Sequence, residues 1–188
     1  MELHAGVFHL RDLRNKLSGR LHENDIREIC SFVQSPTDDS KKKELYRLLF
    51  DADKRVADNA AWIFTHFDTS NNRWLHAKQD ELIDEAMKTT SDTKRRLILA
   101  LLLKQPFYEE NIRTDFLDFC LSRMSSANEP IGVKALCMKL AYEQCQYFPE
   151  LRSEFKAALE IMEPDLLPMA LKTSRNNLLK TLFQIKSK

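Results

Sequence analysis

The stretch DKRVADNAAWIFTHF, residues 53–67, holds five side chains suited to recognition. Arg55, Asp58, Asn59, Trp62 and His66 recur at intervals of three and four, which sets them along one side of a helix. Together they offer a planar cationic fork, a carboxylate, an amide, an indole and an imidazole. Such a strip could read a peptide or a flipped base, because Trp supplies stacking area and Arg supplies paired hydrogen bonds. A second pattern is purely basic. Lys54 and Arg55, then Lys94, Arg95 and Arg96, then Lys134, then Lys172 and Arg175 fall at the starts of successive apolar segments. Gathered on one surface, these cations would form a track for phosphates. A cation at a helix N-terminus is opposed by the macrodipole, so the recurrence implies a specific partner, either a ligand or an aspartate of the neighbouring segment.

Catalytic chemistry finds little support. The histidines His4, His9, His22, His66 and His76 form no HExxH or Cys–His motif. Cys30, Cys120, Cys137 and Cys145 show neither CxxC spacing nor a pattern with histidine, so reduced core thiols are expected rather than a zinc site or disulfides. Gly6, Gly19 and Gly132 are too far apart to build a phosphate-cradling loop. Asp58 beside Trp62 is the one pairing of acid and aromatic that a base-processing enzyme would need. No catalytic residue, cofactor or metal is expected, and an enzyme is disfavoured.

The net charge is +1 with 30% charged residues, so no global field draws nucleic acid or an anionic membrane. The N-terminal MELHAGVFHLRDLRNK lacks the basic and apolar regions of a leader, and the longest apolar run, LILALLL at 97–103, is too short to span a bilayer. The expectation is a cytoplasmic protein without membrane contact.

The elements that must position these residues follow from periodicity. Apolar residues recur with helical spacing, filled in by Ala, Leu, Lys, Glu and Arg, and strand signals are absent. Val7, Leu10, Leu13 and Leu17 make one stripe; Ile26, Ile29, Cys30 and Val33 make a second, with Asn24 able to cap it. Hairpins then follow: KKKELYRLLFD with the opening stretch, KQDELIDEAMKT with TKRRLILALLLKQ, RTDFLDFCLSRMSS with EPIGVKALCMKLAYEQC, and PELRSEFKAALEIM with LKTSRNNLLKTLFQIKSK. Pro36, Pro106, Pro130, Pro149 and Pro164 punctuate them. Landmarks of the second helices recur at about 38–42 residues, as an α-solenoid requires, since each hairpin buries its apolar face only by stacking on the next. The basic, acid-free tail after Asp165 reads as a terminal capping helix with Leu178, Leu179, Leu182, Phe183 and Ile185 on its apolar side and Lys180, Lys186 and Lys188 on its polar side.

DKRVADNAAWIF resembles the second helix of a HEAT repeat, whose pattern is an acidic residue, then Val and a basic residue, then paired alanines before more apolar positions; GVKALCMKLA resembles the same helix in a later unit. The resemblance implies an armadillo-like fold and no particular activity. The expectation is an all-α, right-handed α-α superhelix of about four to five HEAT-like hairpins. It would occupy residues 1–188 as one solenoid domain, with capping helices over 1–35 and hairpins over 36–188. The expected role is a non-enzymatic protein-interaction module or scaffold. Its partner surface would comprise Arg55, Asn59, Trp62, His66, Lys94, Arg95 and Arg96. The competing expectation is a nucleic-acid binder using the same face, since alkylpurine DNA glycosylases of HEAT-like build use such a surface. Shifting the strip by about 39 residues turns Arg55 into Lys94, Asn59 into Ile98, Trp62 into Leu101 and His66 into Gln105. It is therefore either local, or replaced where the second helix is covered on both sides.

Overall fold

The apolar stripes become helices throughout the computed structural model, which describes residues 10–34 and 38–184. His4, Gly6, Val7, His9, Pro36, Ile185, Lys186 and Lys188 lie outside the described residues. Every regular element among those described is helical. The chain divides into two compact units, Met1–Lys78 and Gln79–Lys188.

The first unit contains α1 (Leu10–Ser18), α2 (Glu23–Val33), α3 (Ser40–Leu48), α4 (Lys54–Thr65) and the single turn α5 (Thr69–Asn72), which runs into a 3-10 segment, Arg73–Lys78. Helix α2 begins one residue before Asn24. Its first turn is closed by Asp25, whose carboxylate accepts the His22 N–H at 2.8 Å and holds Lys16 at 2.7 Å. A carboxylate in the first turn can take an otherwise orphaned donor and face the positive helix end, which Asn24 does not do here. Helix α4 packs against α1 and α3. Its stripe of Val56, Ala60, Ile63, Phe64 and Phe67 is buried, together with Ala57 and Ala61. Around Tyr46 the rings of Phe50, Phe64 and Trp74 approach edge-on at 5.3, 6.2 and 5.7 Å, the geometry that aromatic quadrupoles favour.

The second unit holds three hairpins: α6 (Gln79–Lys88) with α7 (Asp92–Leu102), α8 (Thr114–Ser125) with α9 (Ile131–Cys145), and α10 (Pro149–Ile161) with α11 (Met169–Gln184). Helix α9 packs against α7, α8, α10 and α11, and α7 is flanked by α6 and α9. Both central helices are therefore apolar on more than one side: Ile98, Leu99, Leu101 and Leu102 are all buried in α7, as are Val133, Cys137, Met138, Leu140 and Ala141 in α9. Prolines sit where a missing N–H costs nothing. Pro149 opens α10, and Pro130 precedes α9, its carbonyl accepting the Lys134 N–H at 3.0 Å. Phe116 is fully buried and stacks between Phe107 and Phe119, at 6.5 and 6.2 Å.

Truncating that ring removes a large buried volume that the helices cannot close. Phe116→Ala is expected to destabilise the protein by about 3–5 kcal/mol, read as a lowered urea midpoint at unchanged slope. An unchanged midpoint would mean that the ring is not packed as described.

Candidate functional site

The start of α4 is built by two carboxylates, Asp51 and Asp53. Asp53 takes the Arg55 N–H at 2.9 Å and the Val56 N–H at 3.4 Å, which makes it the N-cap. Asp51 accepts the Asp53 N–H at 2.8 Å and receives Arg14 of α1 in two parallel bonds, Nε at 2.8 Å and Nη2 at 2.9 Å. This bidentate pair is geometrically specific and ties α1 to the turn before α4. The hydrogen bond from Arg14 holds the Asp51 carboxyl below its ordinary range, and the Asp53 N–H adds to the effect.

Behind that cap, the polar strip separates into groups with different tasks. Asn59 is half-buried and its Nδ2 donates to Leu17 O at 2.7 Å and Gly19 O at 3.1 Å. Those carbonyls lie at the C-terminal end of α1, where no intrahelical donor remains, so Asn59 closes a helix end. Arg55 and His66 are exposed, and Asp58 and Trp62 are half-buried. Trp62 meets His66 edge-on at 5.9 Å, as residues four apart on one helix can. Arg55 and His66 are thus the exposed members of the strip, with Trp62 partly accessible between them.

The basic cluster of α7 is mostly internal. Lys94 is 6% exposed and places Nζ 2.6 Å from Glu85 of α6. Arg95, also 6% exposed, donates Nε to Ala86 O at 3.1 Å, Nη2 to Thr89 O, and Nη1 to Asp92 at 3.1 Å. Ala86 and Thr89 lie at the C-terminal end of α6, so the guanidinium satisfies carbonyls that the helix leaves open. Arg175 repeats the device in the last hairpin: Nε bonds Leu159 O at 2.7 Å and Nη2 bonds Glu160 O at 3.4 Å, closing α10. The α8–α9 hairpin lacks it, with apolar Val133 at the corresponding place. There the end of α8 is closed by Ser125 Oγ on Leu121 O and by Ser126 N on Arg123 O.

Two consequences follow for the surface expected from the sequence. Lys94 and Arg95 are not available to an outside phosphate or peptide while these contacts hold, and Asn59 has its amide hydrogens engaged. Arg96 is exposed, its stem lying over Gly132, where an added Cβ would come 3.1 Å from Arg96 Cδ. The positions that correspond to the α4 strip, Ile98, Leu101 and Gln105, are buried. This selects the second of the two alternatives for α7, a helix covered on both sides.

One polar residue escaped the sequence reading. Glu129 has a side chain only 4% exposed, with Oε2 at 2.7 Å from Arg123 Nη1 and Oε1 at 3.7 Å from Arg95 Nη1. It joins the α6–α7 hairpin to α8 through two guanidinium groups. No local signal marks it, since both partners are set by tertiary packing.

No group of three or more His, Cys, Asp or Glu side chains among the described residues is placed to hold a metal ion. The four cysteines are free and buried. Burial pushes the Cys30 and Cys145 thiols up to about 11 and raises Cys120 as well, which keeps them protonated at neutral pH and removes their nucleophilic form. Among the described residues, no helix is long and apolar enough to cross a membrane.

Removing Arg95 would strand Thr89 and Ala86 carbonyls and leave buried Glu129 with one cation. Arg95→Met is expected to destabilise by about 3–5 kcal/mol, and Arg95→Lys to recover less than half, because a single ammonium cannot span both carbonyls. In a double-mutant cycle with Glu129→Gln the losses should fall short of additivity by about 0.5–3 kcal/mol. Strict additivity would sink the proposed link between the two residues. Asp51 supplies a pH test. Its carboxyl is depressed in the folded state, so its contribution is present above the unfolded value of about 3.9 and is lost as pH falls through the lower folded value. Acid denaturation curves of Asp51→Asn should show a shallower loss in that window; superimposable slopes would exclude the contribution.

Residues 13–182 match the family described as HEAT repeat domain. Neither the curated proteins nor the solved structures yield a match. With helical hairpins running through almost all of that span, the chain belongs to the HEAT repeat family.

Proposed function

We propose that this chain acts as a non-enzymatic protein-interaction module, with its contact surface on the face of α4 that carries Arg55, Trp62 and His66. The family supports a repeat-based helical scaffold or interaction module, and the finer reading rests on one observation. In α4 the apolar stripe is locked against α1 and α3, while Arg55, Trp62 and His66 stay accessible on the other side. An indole with a neighbouring guanidinium and imidazole is the composition of an interface anchor, and the helix that carries it is rigidly capped by Asp53. Arg96 is a further exposed cation, assigned to its own unit.

A continuous phosphate track is the weaker reading. It requires accessible cations at successive helix starts, whereas Lys94, Arg95 and Arg175 are buried against carbonyls and carboxylates.

Affinity purification from the source cells separates the two. Arg55→Glu and Trp62→Ala should each lower retention of co-purifying protein by about tenfold, with helical circular dichroism unchanged. Lys180→Glu, an exposed cation on α11 of the other unit, should retain it. Retention indifferent to both α4 substitutions, together with RNA or DNA binding that weakens steeply with salt, would replace this reading by the nucleic-acid one.

A further inference from the structure

Helices α8 and α10 are the first helices of successive hairpins, and both lie against α9. Between them, above the C-terminal end of α9, a cleft of about 280 Å³ remains open. Leu117, Leu121 and Met124 of α8 face Leu151, Phe155 and Ala158 of α10 across it. Cys145 forms part of the floor and, being protonated, adds no charge there. Glu154 is the single charged residue of the lining. It is exposed, as is Glu150 one turn earlier, and neither forms an ion pair with a described residue.

The volume and the charge together narrow the occupant. Small-molecule sites usually enclose about 300–1,000 Å³, and this cleft falls just below that range while matching one or two apolar side chains. Interface anchors fill pockets of this kind. Glu154 and Glu150 bring acid to the α10 side, while Arg152, between them in the chain, is turned to the Gln146 carbonyl at the end of α9. Along α10, Glu150, Glu154 and Ile161 stand at i, i+4 and i+11, hence on one face, and Ile161 is 80% exposed. The face extends over roughly 16 Å, about three turns of a docked helix.

We propose that the α8–α10 cleft receives a basic amphipathic helix of a partner protein. One bulky apolar side chain enters between Leu121 and Phe155, and lysines or arginines one turn to either side pair with Glu154 and Glu150. The assignment rests on the reading of the chain as a protein-interaction module but uses a surface separate from α4. It is the helix-in-groove mode, in which apolar anchors at helical spacing supply affinity and flanking charge supplies selectivity.

The test uses the full chain and a labelled synthetic helix of about 14 residues, with Leu at i, i+4 and i+7 and Lys on the flanks. A second peptide carries Glu in place of every Lys, and dodecyltrimethylammonium serves as a small cationic amphiphile. The expected result is saturable binding of the lysine peptide, with movement of the Met124 and Leu151 methyl resonances. The glutamate peptide should bind about tenfold more weakly. Ala158→Phe, which fills the cleft, should weaken the lysine peptide by about tenfold. Glu154→Lys, a surface change that leaves the core intact, should do the same and restore the glutamate peptide. Trp62→Ala should leave peptide affinity unaltered. Equal affinity for both peptides, methyl resonances that do not move, binding undiminished by Glu154→Lys, or occupancy by the amphiphile alone would each overturn the proposal. Failure here with partner retention still sensitive to Trp62→Ala removes only the cleft; the reverse pattern removes only the α4 surface.

Discussion

A helix that ends against protein instead of water must find donors for its last carbonyls, and that requirement organises both units. In an antiparallel hairpin the negative end of the first helix lies beside the start of the second, so a donor early in the second helix can close the first. Arg95 does this for α6 and Arg175 for α10. Asn59 does it for α1 with an uncharged amide. The cation that each helix's own dipole disfavours is thus placed next to another helix's partial negative charge, and the apparent conflict in the sequence disappears. The planar fork matters because two carbonyls at different heights are met by one rigid group.

Because Arg95 is held on α6, its remaining edge is fixed in position to face Glu129, which Arg123 approaches from the other side. A buried carboxylate is tolerable only when such partners compensate its lost hydration, so closing one helix also sets the relation between neighbouring hairpins. Apolar packing then fills the space that these polar contacts define. Helices α7 and α9, flanked on more than one side, keep only a narrow strip toward water, with Thr93 and Arg96 exposed on one and Lys139 on the other.

Most of the fold was legible in the sequence because it depends on local periodicity. Each second helix begins and ends within a few residues of its apolar stripe, and the buried set Val56, Ala60, Ile63, Phe64 and Phe67 is the one that spacing selects. The segment that spacing did not reveal, Thr69–Lys78, is a single α-turn passing into a 3-10 segment, too short and too tightly wound for a 3.6-residue pattern. Its anchoring is visible only in space, where Trp74 meets Tyr46 and Asp68 caps Asn71. The cap of α2 was misplaced for a related reason: Asp25 both accepts the His22 N–H and meets Lys16 from α1, and the second contact is not local. The site was less legible. Residue type marked Asn59, Lys94 and Arg95 as polar groups with a purpose, yet nothing near them in the chain distinguishes a ligand from a carbonyl at the end of another helix.

Repeat alignment identifies equivalent positions without saying which of them water reaches. Trp62 of α4 and Leu101 of α7 occupy one such position; Leu101 is buried between helices, and Trp62 is half-buried with His66 against its edge. An aliphatic side chain suits a place that is always covered. An indole suits one that alternates between cover and water, since its ring gains from burial and its N–H can be satisfied in either state. The same reasoning separates the two kinds of charge in the second unit. Arg95 and Glu129 have partners inside the fold, so their charge stabilises the hairpins and is unavailable for recognition. Glu154, exposed above an apolar cleft, has no ion-pair partner among the described residues, so its charge is not spent on those hairpin contacts.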